Sequence, residues 1–133
     1  MRRSYHCPHC GGLLNPGSLV VFVIDYQGGR ELILLSSEPG DYAMVYRDTV
    51  ELVPGTAYTL RCPLCDSDLV SPGDDRLIEV ASRGEDGTPI RVQFSRVFGQ
   101  HATYLLSRTG VKRYGEHAES FDPINYFGAG EEG

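Results

Sequence analysis

Two short motifs constrain this chain more than anything else in it: Cys7-Pro8-His9-Cys10 and Cys62-Pro63-Leu64-Cys65, which hold all four cysteines of the 133 residues. Two residues between thiols is the spacing at which a tight turn aims both sulfurs, and the neighbouring N–H groups, at one ion. Two such turns complete a tetrahedral shell. The proline after each first cysteine fixes φ near the value the turn needs. Gly11 and Gly12 follow the first pair and take up positive φ without strain, whereas the second pair continues into Asp66, which does so less easily. A pair of disulfides would need an oxidising compartment, to which nothing in the sequence points. No helical periodicity follows either pair, as a thioredoxin-type dithiol would require. The expectation is one shared metal site with Cys7, Cys10, Cys62 and Cys65 as ligands. Zinc is the leading ion and iron the alternative in the same sulfurs. His6 and His9 sit beside ligand cysteines and read as solvent-facing knuckle residues or donors near a sulfur.

The paired Cys-Pro-x-Cys motifs, the first followed by glycine, resemble those of zinc-ribbon proteins and the related rubredoxin-like group. The resemblance covers the two knuckles and the β-rich character around them. It implies a ribbon of two knuckles on β-hairpins, with the same four cysteines as ligands. Members of the group range from transcription and ribosome-associated factors to accessory domains of enzymes and electron carriers. The 51 residues between the pairs are long for a compact ribbon, so the intervening strands must build additional structure.

The rest of the chain reads as two copies of one unit. Each opens Cys-Pro-x-Cys-x-x-x-Leu, reaching Leu14 and Leu69. A candidate hairpin follows in each: Val20 to Tyr26 and Arg30 to Ser36 around Gln27-Gly28-Gly29, then Leu77 to Arg83 and Ile90 to Ser95 around Gly84 to Gly87. A third block sets Ser36 to Ala43 against Ser95 to Ala102, and Gly55 and Gly115 close the copies. Ile90, Val92 and Phe94 alternate with polar residues, the period of a half-buried strand. Val20 to Ile24 is continuously apolar and is expected to be buried on both faces. Glu116 to Phe121 is the one candidate helix. The expected fold is all-β and centred on a zinc ribbon, with two hairpin-rich repeats (7–61 and 62–117) joined by the shared four-cysteine site. Residues 1–117 would form the β domain and 118–133 an acidic tail containing aromatics. The expected core draws on Phe22, Ile24, Ile33, Leu35, Leu60, Ile78, Val80, Val92, Phe94 and Leu105.

Composition narrows the functional classes. Twelve Lys and Arg against 18 Asp and Glu leave a formal charge of −6, which argues against coating nucleic acid by bulk electrostatics. No apolar run approaches a membrane span, and no apolar signal segment follows Arg2 and Arg3, so the expectation is a soluble, cytoplasmic protein with no membrane partner. Charge is unevenly distributed: 88–115 lack acids and carry Arg91, Arg96, Arg108, Lys112 and Arg113. Those five are the candidate face for nucleic acid or another anionic partner. In the tail, Phe121, Tyr126 and Phe127 either pack on the domain or dock into a protein partner. No nucleophile–base pair or phosphate loop is evident. His101 and His117 read as structural or surface residues, and four thiolates leave no open metal position for catalysis. The expected role is therefore that of a non-enzymatic zinc-bound interaction or accessory module. The alternatives are a nucleic-acid-associated ribbon using 88–115 and a rubredoxin-like iron electron carrier.

Overall fold

The computed structural model describes residues 3–84 and 86–121. Among these residues eight strands form in chain order: β1 (Leu19–Tyr26), β2 (Gly29–Ser36), β3 (Met44–Tyr46), β4 (Leu60–Arg61), β5 (Leu77–Arg83), β6 (Pro89–Ser95), β7 (Thr103–Ser107) and β8 (Gly110–Tyr114). They make two antiparallel four-stranded sheets, ordered β3-β2-β1-β4 and β5-β6-β7-β8. The all-β expectation holds. The segment from Glu116 to Phe121 makes only a single 3-10 turn, Ala118–Ser120, after which Phe121 is extended. A stretch this short gains too few hydrogen bonds to offset helix nucleation.

The hairpins form where the alternation and the turn residues place them. Between β1 and β2, Gln27 and Gly28 both have positive φ (50° and 77°), the primed turn that matches the twist of paired strands. Register is the same in the two sheets. Val20 faces Leu35, which faces Met44, and Ile78 faces Phe94, which faces Thr103. The loops that follow β2 and β6 also match. The Ser36 N–H donates to the Ala43 carbonyl and the Ser95 N–H to that of Ala102. Gly40 and Gly99 occupy corresponding positive-φ positions. The fourth strands differ, because β8 extends its sheet beyond β7 whereas β4 returns to pair with β1.

The inner faces of the sheets meet in one core. Phe22, Ile24, Ile33, Leu60, Ile78, Val80, Val92 and Leu105 are buried there, with Leu35 and Phe94 packed against them, so all ten expected residues join it. The rings of Phe22 and Phe94 meet across the sheets at 5.6 Å. The run from Val20 to Ile24 is not buried on both faces, however. Val20, Phe22 and Ile24 point inward and are buried, while Val21 and Val23 point outward and are half-buried. Only one face of this sheet has another sheet against it, which is the usual arrangement for an antiparallel sheet.

A second core lies on the outer face of the other sheet, where Leu77, Ala102, Tyr104, Leu106 and Val111 pack with Ala118 and Phe121. The Arg76 guanidinium lies 4.7 Å from the centre of the Phe121 ring. Phe121 therefore packs within its own chain. Tyr126 and Phe127 lie outside the described residues.

Gly115 allows the last segment to reach this position. Its φ is +99°, and a Cβ there would collide with the His101 carbonyl and the Tyr42 hydroxyl. At Gly55, also at positive φ (+85°), a Cβ would meet open space. Gly55→Ala should cost about 1 kcal/mol through backbone strain alone, and Gly115→Ala about 3 kcal/mol or more because backbone must also move. Equilibrium urea unfolding of the two variants measures the difference.

Candidate metal centre

Both knuckles are built by the same hydrogen bonds. In the first, the Gly11 N–H donates to the Cys7 carbonyl (2.9 Å) and the Cys7 N–H to the Gly12 carbonyl (3.0 Å). In the second, Asp66 donates to Cys62 and Cys62 to Ser67 over the same two distances. The turn requires positive φ at its fifth residue. Gly11 meets this at 75° and Asp66 at 65°, so the aspartate does adopt the less favourable conformation expected of it.

The knuckles are also anchored in a crossed fashion. His6, just before Cys7, bridges to Ala81 of β5, and Arg61, just before Cys62, pairs with Val23 of β1. On the way out, the Leu14 carbonyl accepts from Val21 of β1 and the Leu69 carbonyl from Glu79 of β5. Each knuckle is thus braced on both sheets.

This bracing brings the four sulfurs together. Cys7 Sγ lies 3.7 Å from Cys65 Sγ, and Cys10 Sγ lies 3.8 Å from Cys62 Sγ. All four sulfurs lie within 4.8 Å of one another. Disulfides are ruled out at these separations, since bonded sulfurs stand about 2 Å apart. A tetrahedron with metal–sulfur bonds of about 2.3 Å has edges of about 3.8 Å, so the cluster is sized to hold a metal ion. Cys7 and Cys62 are buried, and Cys10 and Cys65 are exposed.

Backbone donors already point at the sulfurs. The His9 and Cys10 N–H groups approach Cys7 Sγ at 3.3 and 3.5 Å, Leu64 N–H approaches Cys62 Sγ at 3.3 Å, and Gly12 N–H approaches Cys10 Sγ at 3.4 Å. Burial pushes the Cys7 thiol up and the Cys62 thiol up to about 12. The Ser67 hydroxyl, 3.3 Å from Cys65 Sγ, together with the Ser67 N–H, brings Cys65 down to about 6. Burial thus disfavours the Cys7 and Cys62 thiolates, a cost that the positive charge of a bound metal would offset. Ser67 is a site residue that the sequence reading missed; its place two residues beyond the last cysteine was the available signal. His6 directs Nδ1 to the Gly11 carbonyl (3.2 Å), so its ring bonds inside the knuckle rather than at a sulfur, and His9 is exposed.

A second polar group gathers His101, Glu116 and His117. The His101 N–H donates to His117 Nδ1 (2.9 Å), the His117 N–H donates to the His101 carbonyl (2.9 Å), and His101 Nδ1 lies 3.1 Å from Glu116 Oε1. The His117 lone pair is engaged by backbone and the His101 ring nitrogen by carboxylate. The group is therefore a clasp holding the 115–121 segment to the β6–β7 loop. Tyr42 stacks on His101 at 4.5 Å with the rings 7° from parallel. Tyr42 and His101 also line a cavity of about 100 Å³ whose walls include Phe22, Ile33, Met44, Val92 and Phe94.

The five bases of the acid-free stretch do not converge. Arg91 and Arg113 project from the outer face of the second sheet. There Arg91 lies 4.0 Å from Glu79, and Arg113 sits over the Tyr104 ring and bonds the Ala118 carbonyl. Lys112 stands opposite the inward-facing Leu105, on the other face. Arg96 donates to the carbonyls of Asp75 and Tyr58 in the loops, and Arg108 lies at the β7–β8 turn.

Among the described residues no helix is long and apolar enough to cross a membrane. No protein-family model, curated protein or solved structure matches the chain.

Protons compete with metal for thiolates. With metal bound, the four cysteines stay ionised far below the range in which unfolded thiols titrate, so the stability this confers is present at neutral and higher pH and lost as pH falls. Metal release and the fall in Tm should therefore coincide as pH is lowered from about 7.5 towards about 5. Ser67→Ala removes the donor that keeps Cys65 low and should move the release midpoint to higher pH. Equilibrium dialysis with a metal indicator measures both.

Proposed function

We propose that this chain is a zinc-stapled, non-catalytic interaction or accessory module. Its two halves are duplicated β units that share one structural zinc held by all four cysteines. The observation that carries the reading is the crossed bracing of two like knuckles, which sets four sulfurs at tetrahedral spacing between the sheets. A closed shell of four thiolates offers substrate no coordination position, and its chemistry is structural. The shared register of the two hairpin sheets and the like turns after β2 and β6 support duplication. Zinc would then lie near a pseudo-twofold axis, with Cys7 and Cys62 exchanging roles across it.

The magnitude favours a staple. Structural zinc binding is worth on the order of 10 kcal/mol at neutral pH, comparable to the whole net stability of a small domain. The dispersal of Arg91, Arg96, Arg108, Lys112 and Arg113 over different surfaces favours this reading over a nucleic-acid-binding ribbon. The iron electron carrier uses the same four sulfurs and is separated by the metal itself.

Two measurements test the reading. Purified protein should be colourless and carry one zinc per chain. Chelation should abolish cooperative thermal unfolding, with recovery on adding zinc. A chelated chain with the same Tm would refute the staple, and red protein with stoichiometric iron would select the electron carrier.

A further inference from the structure

The cavity of about 100 Å³ lies among inward-facing side chains of both sheets. Protein interiors pack like organic crystals, with few voids larger than a water molecule, so one of this size is unusual. Val20, Phe22 and Ile33 of the first sheet and Val80, Val92 and Phe94 of the second line it. Much of the remaining lining comes from the loops after β2 and β6, the pair that matches between the halves. Among the described residues, the exposed part of that lining is Glu38, Asp41, Ala43, Met44 and Gly99, so solvent reaches the cavity past these two loops. Backbone hydrogen bonds hold both loops in shape, from Ser36 to Ala43 and from Ser95 to Ala102. The Tyr42–His101 stack ties one loop to the other. The opening is therefore formed in advance of any ligand, as binding pockets usually are.

The chemistry of the lining limits what fits. Every hydroxyl among its described residues is already engaged. Tyr5 donates to the Ser37 carbonyl, Tyr42 and Thr103 bond each other, and Tyr58 accepts from the Val53 N–H. Ser36 and Ser95 accept from the backbone N–H groups of Glu38 and Val97. Among the described residues, the buried side-chain atoms that lack a partner belong to Arg91 and Gln93, neither of which lines the cavity. Water needs about two to four polar partners to settle in a cavity, so this lining favours apolar contact instead. Glu38 and Asp41 against Arg96 leave an excess of one negative charge, but both carboxylates are exposed and stay in water. Arg96 is committed to the carbonyls of Asp75 and Tyr58, and His101 to Glu116. Size sets the remaining limit. An apolar cavity of about 150 Å³ takes up benzene or xenon, so one of about 100 Å³ admits a group of roughly four to six carbons.

We infer that this cavity is a binding site for a small neutral apolar molecule, the size of a single hydrocarbon ring or a short alkyl chain, taken up between the sheets past the matched loops. None of the four cysteines lines it, so uptake is measured independently of metal binding.

The experiment is an NMR titration of the full chain, following valine, leucine and isoleucine methyl groups, with benzene, benzoate and benzylamine as probes. Benzene should shift the methyls of Val20, Ile33 and Val92 in a saturable way. Benzoate and benzylamine should bind about 10-fold or more weaker, because each would carry an unpaired charge into an apolar interior. The double variant Val20→Ile, Val92→Ile adds a methylene from each sheet and should weaken benzene binding by about 10-fold or more. Each single variant should act in the same direction, which keeps the test decisive if the double variant does not fold, as checked by circular dichroism and Tm. Absence of a saturable shift up to the solubility of benzene would overturn the inference. So would shifts confined to the outward Val21, Leu32 and Val45, or folded variants that bind benzene unchanged. Benzoate or benzylamine binding as tightly as benzene would overturn it too, making the charged loops the site.

Discussion

The crossed anchoring of the knuckles is the constraint on which the rest of this structure depends. Each Cys-Pro-x-Cys turn enters along one sheet and leaves along the other, so neither sheet can move without carrying a pair of sulfurs with it. A metal held by the four sulfurs would close the long loop between residues 10 and 62, where a cross-link removes most freedom from the unfolded chain. The core alone is modest: fourteen buried residues line the space between the sheets, and a cavity of about 100 Å³ remains among them. A chain of this size gains from such a clamp because its surface-to-volume ratio limits what burial can supply.

The likeness between the halves ends at the core. Facing inward, each sheet presents a similar set of apolar side chains in the same register, and the corresponding residues Tyr42 and His101 stack against each other where the two long loops meet. Facing outward, the sheets differ. One carries Glu79, Arg91, Gln93 and Tyr104 and is partly roofed by 118–121. The other carries Val21, Val23, Leu32, Leu34 and Val45, of which Leu32 and Val45 are exposed. A difference of this kind is what separate functional demands on the proposed duplicated unit would leave behind. The inner faces must still fit each other, while each outer face answers only to what covers it.

Much of this was legible because short-range rules govern it. Alternation at Ile90, Val92 and Phe94 marked an inward face. The Cys-x-x-Cys spacing marked a turn that converges on one ion, and all ten expected core residues came together. What could not be read from the sequence shares one cause. The apolar run Val20 to Ile24 reads the same whether one face or both are covered, since composition does not reveal how many layers flank a sheet. The segment at 118–121 has helix-compatible residues, but its conformation is set by packing on Tyr104 and by the His101–His117 clasp. The five bases are close in sequence and dispersed in space, because alternate strand residues point to opposite faces.

What the sequence by itself determined is local: four thiols in two matched turns, strands with an inward period, hairpins closed by Gln-Gly and glycine-rich turns, and a third matching block in each half. These follow from spacing and backbone preference, which act within a few residues. Only the tertiary structure decided that each knuckle would be fed by the other half's sheet, that the four sulfurs would therefore meet within 4.8 Å of one another, and that 118–121 would pack on the outer face of one sheet. Those outcomes depend on pairing between segments far apart in the chain, where the free energy of a contact belongs to the whole packed arrangement and no short stretch of chain encodes it.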